Sequence, residues 1–296
     1  MSSTHLFLAG AAFLAFLVLM TVLVHLLGRW RWARCRAALL SDLHSSHQSR
    51  TLGLVDWQEL QGLPAPVQRY LRAVLKEGQA LPAAVELTQD GTMNLQADGD
   101  AWKPFSATQR AQMHRPGFVW DARLTVFPGL QVHVHDAYVS GVGSLHAAVM
   151  GAVPVARLKG SDHLAQAELM RWLAEAAWYP TALLPSQGVR WQAVDKQNAD
   201  ASITDGHVTV SLRFHFDSDG LVDTVTAASR SRLVGKVDKP APWQGRFWNY
   251  AWREGMRVPQ QGEVAWMLPG GASPYWRGRI RALRVERPGE ADQLAP

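Results

Sequence analysis

The sequence most typical of a metal site is His133-Val134-His135-Asp136, because imidazole and carboxylate groups are common zinc ligands. On a regular β-strand, however, successive side chains point to opposite faces. His133 and His135 therefore share one face, whereas Asp136 lies on the other. The three side chains cannot then bind one ion together, and the neighbouring sequence offers no evident third ligand. We predict histidines that face solvent and no metal site.

Asp136 interrupts a strand face that is otherwise apolar, since Val132, Val134 and Tyr138 occupy the same side. A carboxylate that points into a core or cavity must be hydrogen-bonded, ion-paired or protonated. Two interpretations follow from this position. Asp136 is either a structural acid that a neighbouring Arg, Tyr or Trp satisfies, or a functional acid that lines a pocket.

A second group of charges follows a helical spacing, with Glu168, Arg171 and Glu175 on one side of the same helix. Trp178 comes three residues later and extends that side. The group is either a solvated ladder of surface charges or a set of side chains that enters a cavity. We predict that Asp136, Arg171, Glu175 and Trp178 converge on one concave region between this helix and a sheet.

Aromatic residues are the main anomaly of composition, since 13 of the 296 residues are tryptophan, about three times ordinary usage. Trp248, Tyr250 and Trp252 alternate along one predicted strand and so share a face. These three side chains either belong to the core or form an aromatic platform for a lipid tail or a sugar ring. We include them among the candidate ligand-binding residues.

Catalytic and cofactor signatures are absent from the sequence, which contains no G-x-S-x-G, no P-loop and no dinucleotide fingerprint. We therefore predict no catalytic residue and no cofactor. The charge distribution also disfavours nucleic-acid binding. Removing one arginine cluster from the net charge of +5 leaves only +1 for the rest of the chain. That cluster consists of Arg29, Arg31, Arg34 and Arg36.

The arginine cluster follows an uncharged run, residues 6–27, that would rise about 33 Å as a helix and cross a bilayer core. Trp30 and Trp32 fit the aromatic belt at the membrane interface. The first five residues lack the Lys or Arg of a cleaved signal peptide. We predict a single-pass anchor in the inner membrane within residues 1–36. The positive-inside rule then puts the soluble domain in the cytoplasm.

The remaining chain divides into a juxtamembrane linker (37–61), a β-rich soluble domain (62–286) and a disordered tail (287–296). An apolar stripe at helical spacing predicts one amphipathic helix near residue 70, and residues 162–179 predict a second helix. In the rest of this domain, apolar residues recur at every second position, which is typical of β-strands. The fold class is thus mainly β (α+β), a curved antiparallel sheet or incomplete barrel of about ten strands with covering helices. Residues 235–245 are a candidate flap.

The blocks LPAPVQRYL, GFVWDARL, HDAYVSGVG, VRW, FHFDSDG and APWQGRFWNY follow one another along the soluble domain. With them, the chain resembles an uncharacterised bacterial family of unknown function, DUF6544. The resemblance covers about residues 62–285, and its most specific block is RWLAEAAWYPTALLP. It implies domain boundaries and no activity. At the level of fold, the chain is also similar to the half-barrels of lipoprotein carriers, which place helices over an apolar cavity.

Taken together, the sequence predicts a membrane-anchored binding domain with an apolar, aromatic-rich cavity for a lipid or another hydrophobic ligand. Two alternatives remain open. One is a structural or interaction protein without a ligand, and the other is an enzyme that acts on a membrane-associated substrate through Asp136 and Glu175. The predicted partners are the lipid bilayer and a hydrophobic small molecule, with no nucleic acid and no prediction of oligomeric state.

Overall fold

The structure of the protein is a computed structural model, and it describes residues 3–46, 53–96, 99–235 and 237–287. Most of the predicted tail (287–296) lies outside these residues, as does part of the predicted linker (37–61). The first helix does not end at residue 36, because its hydrogen-bonded turns continue into the predicted linker. The α-helices are α1 (Ser3–Ser45), α2 (Ala65–Val74) and α3 (Asp162–Glu175). Four short 3-10 turns cover Trp57–Leu60, Ala176–Trp178, Pro180–Leu183 and Pro185–Gln187.

The described strands outnumber the ten expected from the sequence. Six of them precede α3: β1 (Ala84–Asn94), β2 (Trp102–Gln112), β3 (Gly117–Phe127), β4 (Leu130–Val139), β5 (Val142–Val149) and β6 (Val153–Lys159). The next four are β7 (Arg190–Ala193), β8 (Asn198–Asp205), β9 (Val208–Phe216) and β10 (Val222–Arg230). The last five are β11 (Leu233–Val234), β12 (Val237–Asp238), β13 (Ala241–Arg253), β14 (Met256–Leu268) and β15 (Gly271–Glu286).

Thirteen of these strands form one sheet in the order β6-β5-β4-β3-β2-β1-β15-β14-β13-β10-β9-β8-β7, while β11 and β12 pair as a separate hairpin. Every pairing in the sheet is antiparallel. The order has two edges, so the sheet is not closed. Helix α3 contacts β4 and β5 from one side and β9 and β10 from the other. The expected open, curved antiparallel sheet with covering helices and an N-terminal apolar helix is confirmed.

The two helices inside the fold form for reasons that are local in the sequence. In α2, the predicted apolar stripe is buried because it faces the sheet, and Gly78 follows with a positive φ of 73°. In α3, the Ser161 hydroxyl accepts a hydrogen bond from the Leu164 amide and caps the first turn. Gly143 on β5 permits the close approach of α3, because a Cβ there would lie 2.8 Å from the Leu164 backbone.

Helix α1 packs its C-terminal half on the outer face of the sheet, opposite α3. Trp32 and Leu43 are buried there, and Gly28 lies so close to the β5–β6 turn that an added Cβ would lie 2.6 Å from the Met150 carbonyl oxygen. The prediction that His133 and His135 face solvent is wrong, because both are buried on the face that α1 covers. Alternation correctly put them opposite Asp136, but it could not show which element covers them.

Candidate functional site

The inner face of the sheet holds a buried ion network at the point where β4 faces α3. Arg171 Nη1 donates to Asp136 Oδ2 at 2.5 Å, and Arg171 Nε donates to Glu175 Oε1 at 2.8 Å. The guanidinium also lies over the rings of Phe118 and Trp120, 4.8 and 5.1 Å from their centroids. Three sequence-predicted residues are therefore in direct contact inside the fold, and the interpretation as a solvated surface ladder is excluded.

Glu168 extends this network toward β10. Its side chain is buried, Oε1 lies 4.0 Å from Arg230 Nη2, and Oε2 has no hydrogen-bond partner. Burial, followed by the charge of Asp136, raises the pKa of Glu168 to about 8. Burial by itself lowers the pKa of Arg171. The neighbouring carboxylates, of which Glu175 has the largest effect, outweigh burial and raise the pKa above its ordinary value, so the guanidinium remains charged. We call Asp136, Glu168, Arg171, Glu175 and Arg230 the interior charge cluster.

Arg230 joins the interior charge cluster to a group of aromatic side chains at the ends of β10, β13, β14 and β15. Tyr275 Oη accepts hydrogen bonds from Trp243 Nε1 at 2.9 Å and from Arg230 Nη1 at 3.2 Å. Trp266 stacks on Tyr275 with ring centroids 5.6 Å apart, and both rings are half-buried. The guanidinium of Arg230 lies over the ring of Trp243, and the guanidinium of Arg232 lies over the ring of Trp266. We call Arg230, Trp243, Trp266 and Tyr275 the aromatic mouth.

Trp178 belongs to the aromatic core and not to the ion network. It follows α3 in a 3-10 turn, where its ring packs on Phe247 and Trp276 with centroids 5.5 and 6.0 Å away. Its indole Nε1 is buried and has no hydrogen-bond partner. The change from α-helix to 3-10 turn alters the angle between successive side chains, so the spacing that would group Trp178 with Arg171 does not hold. A ligand contact for Trp178 stays a prediction.

The predicted platform of Trp248, Tyr250 and Trp252 is not assembled inside the sheet. Trp248 and Trp252 are 40% and 51% exposed, whereas Tyr250 is half-buried and donates its hydroxyl to the Val222 carbonyl oxygen at 2.7 Å. Asn249 has a positive φ of 61°, a backbone irregularity within the segment. The inward side of this strand begins earlier, with Trp243 and Phe247, and a ligand contact for the three later residues stays a prediction.

Sequence reasoning also missed Arg230 and Tyr275, since nothing local marks them as neighbours. Arg230 is the last residue of β10 and Tyr275 lies near the start of β15, with β13 and β14 between them in the sheet. One signal was available in the sequence. The alternation Trp243, Gly245, Phe247 predicts an inward face on β13 and would have pointed to Trp243.

In the pairing of the sheet, the aromatic mouth lies at the strand ends that also carry the connections β1–β2, β3–β4, β5–β6, β10–β13 and β14–β15, which we call the rim. The apolar side chains that these connections expose are Leu95, Phe127, Leu130, Val153, Leu233, Val237 and Met267. Two surface pockets, of about 510 and 780 Å³, lie elsewhere, beside the end of α1 and beside α2. Neither of these two pockets borders the mouth.

The fold and site define a class of protein: an open antiparallel half-barrel with an N-terminal apolar helix and a buried ion network. The chain belongs to a family of unknown function, DUF6920, whose model matches residues 61–284. The expected membership of a family of unknown function is thus confirmed, but the family number expected from the sequence, DUF6544, is wrong. No curated protein matches the chain.

Two solved structures are similar in fold. A LolA superfamily protein from Nitrosomonas europaea aligns with a TM-score of 0.38 and 9% identity, over 73% of this chain and 91% of its own. A β-barrel-like protein from Brucella abortus, of the domain of unknown function DUF1849, aligns with a TM-score of 0.27 and 9% identity. That alignment covers 69% of this chain and 98% of the other.

Proposed function

We propose that the protein is a membrane-anchored half-barrel that binds an amphiphilic ligand of the lipid class at the aromatic mouth. One observation carries the proposal: α1 enters the domain on the same side as the rim, at the β5–β6 turn beside Gly28. The apolar run of α1 therefore lies beyond the rim, and a membrane that holds α1 faces the exposed apolar side chains of the rim. A ligand could pass from that membrane to the mouth.

An anchor explains the packing of α1 better than a cleaved signal sequence. One described helix is long and apolar enough to cross a membrane, and it is continuous with the turns that pack on the sheet. Trp32 is 4% exposed and Leu43 is fully buried, so removal of α1 would uncover apolar surface on the domain. We propose an inner-membrane location, and the arginines that follow the apolar run favour a cytoplasmic domain.

The anchor is tested by extraction of membranes with alkaline carbonate. We expect the full-length protein to stay in the membrane pellet, because a helix of this length and composition inserts stably. Intact-mass measurement should find the N-terminal residues present. Recovery of most of the protein in the soluble fraction, with an N-terminus after residue 28, would show that α1 is a cleaved leader.

The chemistry of the mouth favours a ligand with an apolar body and an anionic head. Trp266 and Tyr275 offer half-buried ring surface, and two guanidinium groups, Arg230 and Arg232, lie beside it. Because Trp266 stacks on Tyr275 and Tyr275 is hydrogen-bonded to Trp243, a ligand must displace part of these contacts to enter. The β11–β12 hairpin is suited to this movement. It is outside the main sheet and exposes Leu233 and Val237.

Ligand binding is tested with a photoactivatable anionic phospholipid added to membranes that contain the full-length protein. We expect cross-links in peptides covering residues 230–245 and 266–275 in addition to α1. Trp266→Ala should lower cross-linking at the mouth about tenfold, because loss of a large aromatic contact weakens binding by about 1.4 kcal/mol. Trp252→Ala is the matched control, since Trp252 is exposed and lies away from the mouth.

Cross-linking to α1 reports lipid around the anchor and should be equal in all variants. Cross-links confined to α1 would contradict the proposal, as would equal losses in Trp266→Ala and Trp252→Ala. The first outcome favours the second candidate function, a structural domain without a ligand, for which the continuous core of buried apolar side chains is the supporting observation. An enzymatic role for Asp136 and Glu175 is not proposed, because Arg171 holds both carboxylates in ion pairs.

A further inference from the structure

A cluster of potential metal ligands lies where α1 crosses the outer face of β4 and β5. His135 and His146 are directly opposite each other in the antiparallel pairing of these strands. Cys35 on α1 reaches the same place. One potential ligand atom from each of the three residues lies within 4.8 Å of the other two. The three come from separate parts of the sequence and meet only because α1 packs on the sheet.

An independent observation indicates that this cluster takes a ligand. His135 is 2% exposed, and neither of its ring nitrogens has a hydrogen-bond partner. A buried imidazole in this state has lost its hydrogen bonds to water without replacement, which is costly. Asp121 Oδ1 lies 3.2 Å from His135 Nε2 but not in hydrogen-bonding alignment. A bound cation would take the lone pair of the unprotonated ring nitrogen.

The neighbours of His135 restrict the movement of its ring. Trp32 stacks on the imidazole with ring centroids 3.9 Å apart. The indole of Trp32 donates to Asp121 Oδ1 at 3.0 Å, and Arg36 lies 3.3 Å from Asp121 Oδ2. Metal-binding histidines commonly have a carboxylate behind them that orients the ring. Asp121 would take this role after a small rotation of the ring, with Nδ1 then left for the cation.

We propose that Cys35, His135 and His146 bind a borderline-soft divalent cation, best fitted by Zn²⁺, and that the ion ties α1 to the sheet. One thiolate and two imidazoles are ligands that zinc prefers, and three protein ligands leave a fourth position for water. Donor atoms around tetrahedral zinc lie about 3.5 Å apart. The ligand atoms here lie within 4.8 Å of one another, so they must move closer together to bind the ion. Rotation of the Cys35 and His146 side chains, which are both half-buried, can bring them closer. The thiol releases its proton when the metal binds.

The proposal revises the expectation of a metal-free domain, which considered only residues 133–136. That expectation excluded one shared ion for His133, His135 and Asp136, and the structure agrees, since Asp136 lies on the inner face. The missing ligands come instead from the membrane-proximal helix and from the neighbouring strand. Neither contribution is visible from the spacing of the histidines.

The test uses full-length protein in detergent, purified without a His-tag, freed of metal with a chelator and titrated with Co²⁺. We expect one Co²⁺ per chain, visible bands of tetrahedral cobalt and a thiolate-to-cobalt charge-transfer band. Zn²⁺ should displace the cobalt. Cys35→Ser should abolish the charge-transfer band. His146→Asn should weaken Co²⁺ binding at least tenfold, because even the loss of a residue that only hydrogen-bonds to a metal ligand weakens metal binding by about that factor.

His207→Asn is the matched control, because His207 is exposed in the β8–β9 turn and should leave the titration unchanged. Circular dichroism of each variant separates loss of metal binding from loss of folding. Absence of a charge-transfer band in the parent protein would overturn the proposal, as would its persistence in Cys35→Ser. Binding to His146→Asn with unaltered affinity and stoichiometry would overturn it as well.

Discussion

Replacement of Arg171 by alanine is expected to lower the free energy of unfolding by about 3–5 kcal/mol, since removal of one partner leaves buried charges unpaired. The guanidinium is 15% exposed and holds two carboxylates, each 13% exposed, at hydrogen-bonding distance. The substitution also removes contacts with the rings of Phe118 and Trp120. Chemical denaturation of the full-length protein in detergent, followed by circular dichroism, measures the change.

Arg213→Ala provides a matched control for this prediction. Arg213 pairs with Asp200 at 2.9 Å, but its side chain is 51% exposed. Removal of such a surface pair should cost under about 1 kcal/mol. Equal denaturation midpoints for Arg171→Ala and the parent would contradict a buried ion network. Partial recovery in Arg171→Met with Asp136→Asn and Glu175→Gln would confirm that unpaired charge causes the loss.

Glu168→Gln is expected to change the dependence of stability on pH. The folded-state pKa of Glu168 is raised from 4.5 to about 8, mainly by burial. Between these values the unfolded chain releases the Glu168 proton while the folded protein keeps it, so rising pH favours unfolding. This contribution to the free energy of unfolding is fully present below pH 4.5 and lost by about pH 8, and it is on the order of 5 kcal/mol.

Glutamine cannot titrate, so the variant should lose less stability than the parent between pH 5 and pH 8. Denaturation midpoints measured at several pH values across this range give the difference directly. Glu77→Gln is the control, because Glu77 is exposed after α2 and should keep the slope of the parent. Parallel pH profiles for Glu168→Gln and the parent would show that Glu168 does not retain a proton in the folded state.

The sequence predicted the class of fold because the relevant signals are local. Alternation along β9 and the apolar stripe of α2 each report which side of an element is buried, and the structure agrees with both. The same reasoning put Asp136 on the inner face, where it meets Arg171. Helical spacing brought Arg171 and Glu175 together for the same reason, since neighbours at i and i+4 lie on one side of a helix.

Periodicity failed where the identity of a partner mattered. It assigned His133 and His135 to the face opposite Asp136, but the sequence does not state that α1 covers that face. Periodicity also favoured Trp248 and Trp252 as binding residues. On the same strand, however, the aromatic residue that points inward and contributes to the mouth is Trp243. A period of two distinguishes two faces of a strand and leaves open which of them is the interior.

The sequence by itself determined the apolar N-terminal helix, the antiparallel strands and the inward acid at Asp136. Each of these depends on the order of neighbouring residues along the chain. Only the tertiary structure decided that Arg230 meets Tyr275, that Glu168 lies buried beside the ion network, and that Cys35 approaches His146. Those contacts join residues on separate elements. They exist because a thirteen-stranded sheet curves around α3 on one face and accepts α1 on the other, a geometry that no local pattern encodes.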